Sequence, residues 1–149
     1  MPSSISDLLQ EDQITLDLRD QTQSGALREL VDLFGNNPAV KDLNALHEAL
    51  VAREKATSTV VGNGVAFPHA RTDVVDKIVL AVGRSAAGVK FESSPDPVHL
   101  IFMIGTPKAQ ISDYLVCIGS LARFVKDKEV CARLMEAKTP AEFIAVLRP

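Results

Sequence analysis

Gly62-Asn63-Gly64-Val65-Ala66-Phe67-Pro68-His69-Ala70-Arg71 sets an apolar run between a glycine turn and a proline–histidine step. Val65 to Phe67 reads as a short buried strand. Gly62 and Gly64 permit a tight turn ahead of it and a close approach of backbone to its neighbours. Pro68 has no N–H to give to a central ladder, so the strand ends at or near it and His69 falls at an edge or in a loop. A rigid, partly exposed imidazole is a way to present a nucleophile. A metal ligand or a capped core residue fits the same stretch.

On the N-terminal side, Ser6-Asp7-Leu8-Leu9 reads as a short helical turn. Residues 13–18 alternate as a strand, with Ile14, Leu16 and Leu18 on one face. Ser24 is the expected N-cap of a helix from Gly25 to Phe34, which Gly35-Asn36-Asn37-Pro38 stops. A second helix runs from about Asp42 to Lys55. Leu43, Leu46 and Leu50 form its apolar stripe, and Arg53 continues that stripe. Further strands are expected at Thr59–Val61, Ile78–Val82 and His99–Ile104. A third helix covers roughly Ala109 to Val125, with Ile111, Leu115, Ile118, Leu121, Ala122 and Val125 in register. A fourth spans Lys128 to Ala137. Thr139-Pro140-Ala141-Glu142 opens a fifth with an N-cap, a first-turn proline and a capping-box acid. The pattern predicts an α/β fold, a mixed β-sheet flanked by helices in a single domain over residues 1–149.

The chain's 149 residues suit one domain with one substantial core. Apolar residues make up 46% and charged residues 23%, the balance of a globular protein and not of a disordered one. No apolar run approaches the ~20 residues of a membrane span. Met1 to Asp7 lacks the basic and apolar regions of a signal peptide, so a cytoplasmic location is expected. A net charge of −3 without a basic cluster argues against nucleic acid as the main partner. Cys117 and Cys131 lack zinc-type spacing and lie in apolar-periodic segments, as reduced buried thiols do.

Among the histidines, His47 flanks a helical stripe and His99 opens a strand, so both read as structural. His69 is the candidate nucleophile. Metal binding has little support: only Asp73 stands at a suitable spacing from His69, without a second histidine. No nucleophile elbow Gly-x-Ser-x-Gly and no Gly-x-x-x-x-Gly-Lys-Ser/Thr phosphate loop is present.

The longer stretch Arg53-Glu54-Lys55-Ala56-Thr57-Ser58-Thr59-Val60-Val61-Gly62-Asn63-Gly64-Val65-Ala66-Phe67-Pro68-His69 resembles the IIA domain of the bacterial phosphoenolpyruvate:sugar phosphotransferase system, fructose/mannitol/nitrogen-regulatory class. The resemblance covers nearly the whole chain, including Leu115…Leu121-Ala122 and Asp127-Lys128…Cys131…Leu134. Its most specific part is the order Arg…Thr…Gly-x-Gly-x-Ala-x-Pro-His.

The resemblance implies that His69 accepts a phosphoryl group from the phosphocarrier HPr or its nitrogen-branch relative, with no cofactor. It places Arg53 as the stabiliser of that group, and Gly62, Gly64 and Arg71 as its cradle. A guanidinium and backbone N–H groups suit a transferring group whose charge spreads over its equatorial oxygens. Downstream partners implied are a IIB domain or a regulated protein such as a kinase or transporter. The family commonly carries a second histidine at the start of the third helix. Here Ser112-Asp113-Tyr114-Leu115 stands in its place, and Tyr114 offers a neutral donor where the histidine can carry charge. Without a fused IIB or membrane IIC segment, the expectation is a stand-alone carrier of the regulatory, nitrogen-type branch. The alternatives are a sugar-specific IIA component and a non-catalytic binding module with the same fold.

Overall fold

The computed structural model describes residues 5–148. The leader reading at Met1–Ser4 therefore lies outside the described residues. In chain order the elements are α1 (Ile5–Leu8), a 3₁₀ turn (Glu11–Gln13), β1 (Ile14–Thr15), α2 (Gln23–Asp32), α3 (Leu43–Ala56), β2 (Val60–Gly62), β3 (Val65–Ala66) and β4 (His69–Arg71). Then follow β5 (Val79–Val89), β6 (Val98–Thr106), α4 (Ile111–Lys126), α5 (Lys128–Glu136) and α6 (Pro140–Val146). Among the described residues no helix is long and apolar enough to cross a membrane.

The sheet has six strands in the order β1-β5-β6-β3-β2, with β4 also paired to β6. β5 and β6 run antiparallel, while β3 and β4 lie parallel to β6. Helices cover both faces, so β6 is buried at every position but one and reads as a continuous apolar run. Side chains alternate between two cores. Val65, Phe67, Leu80, Val82, Leu100 and Phe102 pack with Cys117, Leu121 and Phe143 on the face of α4 and α6. Ala66, Ala70, Val79, Ala81 and Ile101 pack with Leu27, Leu30, Leu46 and Leu50 on the face of α2 and α3. The expected mixed sheet between helices is the observed one.

Several local expectations change. The strand at residues 13–18 pairs with β5 only at Ile14 and Thr15. A bend at Leu16 and Asp17 then sends Leu18 to the opposite core from Ile14, so these residues do not share one face. The cap of α2 is Thr22 and not Ser24: its extended backbone lets the hydroxyl accept the Gly25 N–H at 3.2 Å, and Asp20 holds it from behind. β5 runs on to Val89, well past the predicted Val82. At α6 the predicted cap is present, with Thr139 Oγ1 accepting the Glu142 N–H at 3.1 Å. The Glu142 carboxylate returns to the Lys138 N–H at 2.8 Å, one residue further out than in a standard capping box.

The largest change concerns β4. The register against β6 is unbroken from Val65↔Leu100 through Ala66↔Ile101 to His69↔Ile104 and Arg71↔Thr106. Pro68 removes one ladder hydrogen bond without diverting the chain, because its carbonyl still accepts the Ile104 N–H at 2.9 Å. His69 is thus in a strand, at an edge, and not in a loop.

Candidate functional site

The site lies where the sheet runs out beside α3 and α4. β2 pairs with β3 as far as Val60↔Ala66, and the Phe67 N–H donates to Thr59 O at 3.0 Å. Beyond this the neighbouring chain turns into α3, so the Phe67 carbonyl has no strand to serve. It accepts instead from His69 Nδ1 at 2.9 Å. In neutral imidazole that contact makes Nδ1 the protonated nitrogen and leaves the Nε2 lone pair available.

A cleft of ≈ 450 Å³ opens at this point, lined by Ala49, Arg53, His69, Ala70, Arg71 and Tyr114. Three of the sequence candidates therefore meet around His69. Arg53, in the last turn of α3, is half-buried and donates through Nη1 to Thr57 O at 2.9 Å. That bond fixes one side of the guanidinium fork and leaves the other donors for a ligand in the cleft. Arg71 is exposed two residues beyond His69, at the cleft wall. The Tyr114 ring sits 5.1 Å from the imidazole, centroid to centroid, tilted by 43°.

Gly62 and Gly64 are not part of this arrangement. With Asn63 they make the β2–β3 turn, all three at positive φ, and Gly64 packs beside His99, not His69. The turn sits at the Leu100 end of β6 and His69 at Ile104, about 13 Å further along at the rise of a strand. Their conformational freedom serves the hairpin. Asp73, the lone candidate for a second metal ligand, accepts the Lys108 N–H at 3.2 Å.

Sequence reasoning missed Glu54. It is only 6% exposed, and its carboxylate accepts both the N–H and the hydroxyl of Thr59. One signal was available: an acid in the last turn of a helix opposes the macrodipole and so asks for a local partner. The apolar stripe of α4 holds at Ile118, Leu121, Ala122 and Val125, but its first turns are rotated from the expected position. Ile111 and Leu115 are 42% and 59% exposed, with Val116 beside them, while Tyr114, Cys117 and Leu121 face inward. Both sets repeat at helical spacing, and only the position of the sheet chooses between them.

Burial lowers the pKa of His69 below the ordinary histidine value of 6.5, and the nearby Arg53 charge lowers it further, against the Phe67 carbonyl and Glu54. The ring is neutral at pH 7. Burial raises the Tyr114 pKa, so its hydroxyl stays a neutral donor. Burial also raises Cys117 to about 12, which makes it an inert core thiol; Cys131 is free and half-buried.

An imidazole with one open nitrogen, set among two arginines at a sheet edge of an α/β scaffold, has the chemistry to receive an anion. The chain belongs to the family described as phosphoenolpyruvate-dependent sugar phosphotransferase system, EIIA 2, which it matches over residues 7–149. It is 36% identical over 138 residues to the PTS system fructose-specific EIIA component of Haloferax volcanii, covering 92% of this chain and 90% of that protein. It is 30% identical over 148 residues to the nitrogen regulatory protein of Bradyrhizobium diazoefficiens, covering 96% and 94%. The crystal structure of the nitrogen regulatory protein IIA-Ntr from Neisseria meningitidis superposes with a TM-score of 0.89 at 29% identity, over 97% of this chain and 99% of that one.

Proposed function

We propose that the protein is a phosphoryl carrier and that Nε2 of His69 is the acceptor atom. The observation that carries this reading is the Nδ1–Phe67 hydrogen bond, which leaves Nε2 as the nucleophilic nitrogen in a cleft shared with Arg53 and Arg71. The donor is a phosphohistidine on an HPr-like carrier. Its N–P bond breaks as the Nε2–P bond forms, and no proton leaves His69. The positive charge that builds on the ring meets the Phe67 carbonyl at Nδ1, while the guanidinium of Arg53 faces the equatorial oxygens. Reversal of the step onto a second acceptor, a IIB domain or a regulated protein, discharges the carrier.

Ile111, Leu115 and Val116 give a partner an apolar patch on α4 beside the cleft, with Arg71 as a cationic rim. The cytoplasm is the proposed location, where such carriers meet. The expectation of a nitrogen-type branch rests on the lack of a fused IIB or IIC segment, but the fructose-specific EIIA component is itself matched over 90% of its length, so this feature does not separate the branches. A second reading, a binding module that signals by contact alone, draws on one observation: Tyr114 sits beside His69 where the family commonly has a histidine.

Incubation with phosphoenolpyruvate, the general phosphotransferase and its carrier tests the reading. One acid-labile phosphoryl group should appear in the wild type and none in His69→Ala. Label that persists in His69→Ala, or maps to His47 or His99, contradicts it. A pH profile supplies an independent check. Acceptance needs the neutral ring, so the rate should be flat from neutral pH upward and fall only in acid, below the ordinary value of 6.5. Stability shifts with the same sign. The unfolded chain protonates His69 first, so this residue's share of stability is complete above that value and declines as pH falls through the folded pKa. A rate that rises as pH drops from 7 to 6 contradicts a neutral acceptor.

A further inference from the structure

The buried carboxylate of Glu54 has a role that begins with its partners. The ion pairs among the described residues are Arg28–Asp32 and Lys41–Asp76, and Glu54 belongs to neither. A carboxylate removed from water without a cation is costly, so its hydrogen bonds must hold it. Both of its oxygens go to Thr59: Oε2 accepts the N–H at 2.9 Å and Oε1 accepts the hydroxyl. Thr59 then passes the restraint on. Its carbonyl accepts the Phe67 N–H at 3.0 Å, and the Phe67 carbonyl accepts His69 Nδ1 at 2.9 Å. The neighbouring Arg53 grips the same connection one step earlier, at Thr57 O. The last turn of α3 thus clamps residues 57–59 twice, and the second clamp leads by successive hydrogen bonds to the imidazole.

We propose that Glu54 is a positioning residue for His69. Through Thr59 it fixes the strand edge at Phe67 so that the Phe67 carbonyl meets Nδ1–H, which selects the tautomer with Nε2 bare and turned to the cleft. Phe67 is 4% exposed and packs edge-on against Phe102, with ring centroids 5.8 Å apart, so its side chain anchors the peptide while Thr59 sets its height at the sheet edge. The role rests on the reading of His69 as acceptor, but its first consequence is a tautomer that can be measured with no phosphoryl donor present.

The test is long-range proton–nitrogen NMR of the ¹⁵N-labelled protein, run beside the rate of phosphorylation. The wild type should show a protonated Nδ1 and a bare Nε2. In Glu54→Ala the two ring nitrogens should move toward averaged signals. Acceptance should slow about fivefold, the worth of one ordinary hydrogen bond, with the dependence on carrier concentration unchanged. Glu54→Gln keeps one acceptor for the Thr59 N–H and an amide for its hydroxyl, so it should restore both readouts. If Glu54→Ala fails to melt cooperatively, Thr59→Val, which removes the hydroxyl and spares the backbone, decides in its place. A folded variant with the wild-type tautomer overturns the proposal, whether its rate is lost or kept. A shifted tautomer in proteins that never take a phosphoryl group upholds the positioning role and instead removes the acceptor reading.

Discussion

Arg53→Ala is expected to slow phosphoryl acceptance by about 10²-fold, the usual cost of removing one charge-stabilising group from a transfer site. The size follows from geometry. Arg53 is half-buried, lines the cleft with His69 and is fixed by Nη1 on Thr57 O, so its free donors are held in place before any ligand arrives. A preorganised donor needs little rearrangement as charge develops on the transferring group. Arg53→Lys keeps the charge but loses the planar fork and the Thr57 anchor, so about a tenfold loss is expected, between the wild type and alanine. Rapid-quench measurement at several carrier concentrations separates this from docking: the maximal rate should fall while half-saturation stays. An Arg53→Ala rate within a factor of about two of wild type would place the guanidinium outside the reaction.

Tyr114→His is expected to raise the acceptance rate by about tenfold or more. Tyr114 meets the His69 ring at 5.1 Å, and burial holds its hydroxyl protonated, so it has only a neutral donor to offer. A histidine there can become a cation beside a dianionic group, and hydrogen bonds to charged groups contribute roughly 1.5–3 kcal/mol. Tyr114→Phe supplies the complement, keeping the ring contact and deleting the donor, and should slow transfer. Thermal melts of both variants check the fold. Equal and fast rates in all three proteins would remove Tyr114 from the transfer step. Equal and undetectable rates would favour the binding module.

The parts of this protein legible in its sequence are those decided by neighbours in the chain. Thr139 caps α6 with Pro140 in its first turn, and the apolar stripe of α3 buries Leu46 and Leu50, with Leu43 half-buried at its start. Where two local readings compete, tertiary structure decides. Thr22 outcompetes Ser24 as a cap because Asp20 holds it. α4 could bury Leu115 or Tyr114, and the sheet takes Tyr114.

The candidate site divides in the same way. His69, Arg53, Arg71 and Tyr114 were found from the sequence and converge on one cleft. The family resemblance joins Gly62 and Gly64 to them as a cradle, but a strand carries the two glycines away from the cleft. β4 was hidden since His69–Arg71 is three residues long and follows a proline, and its pairing with β6 is a long-range contact. Glu54 is unassigned for a different reason: its partner Thr59 lies only five residues on, but the turn between α3 and β2 that brings the two together has no signature in the spacing.

The most direct test is to identify the phosphorylated atom. The protein, labelled with ¹⁵N and charged by phosphoenolpyruvate through the general phosphotransferase and carrier, should show a phosphorus–nitrogen coupling at Nε2 of His69, with Nδ1 still protonated against Phe67 O. A coupling at Nδ1, or at any residue other than His69, would contradict the account.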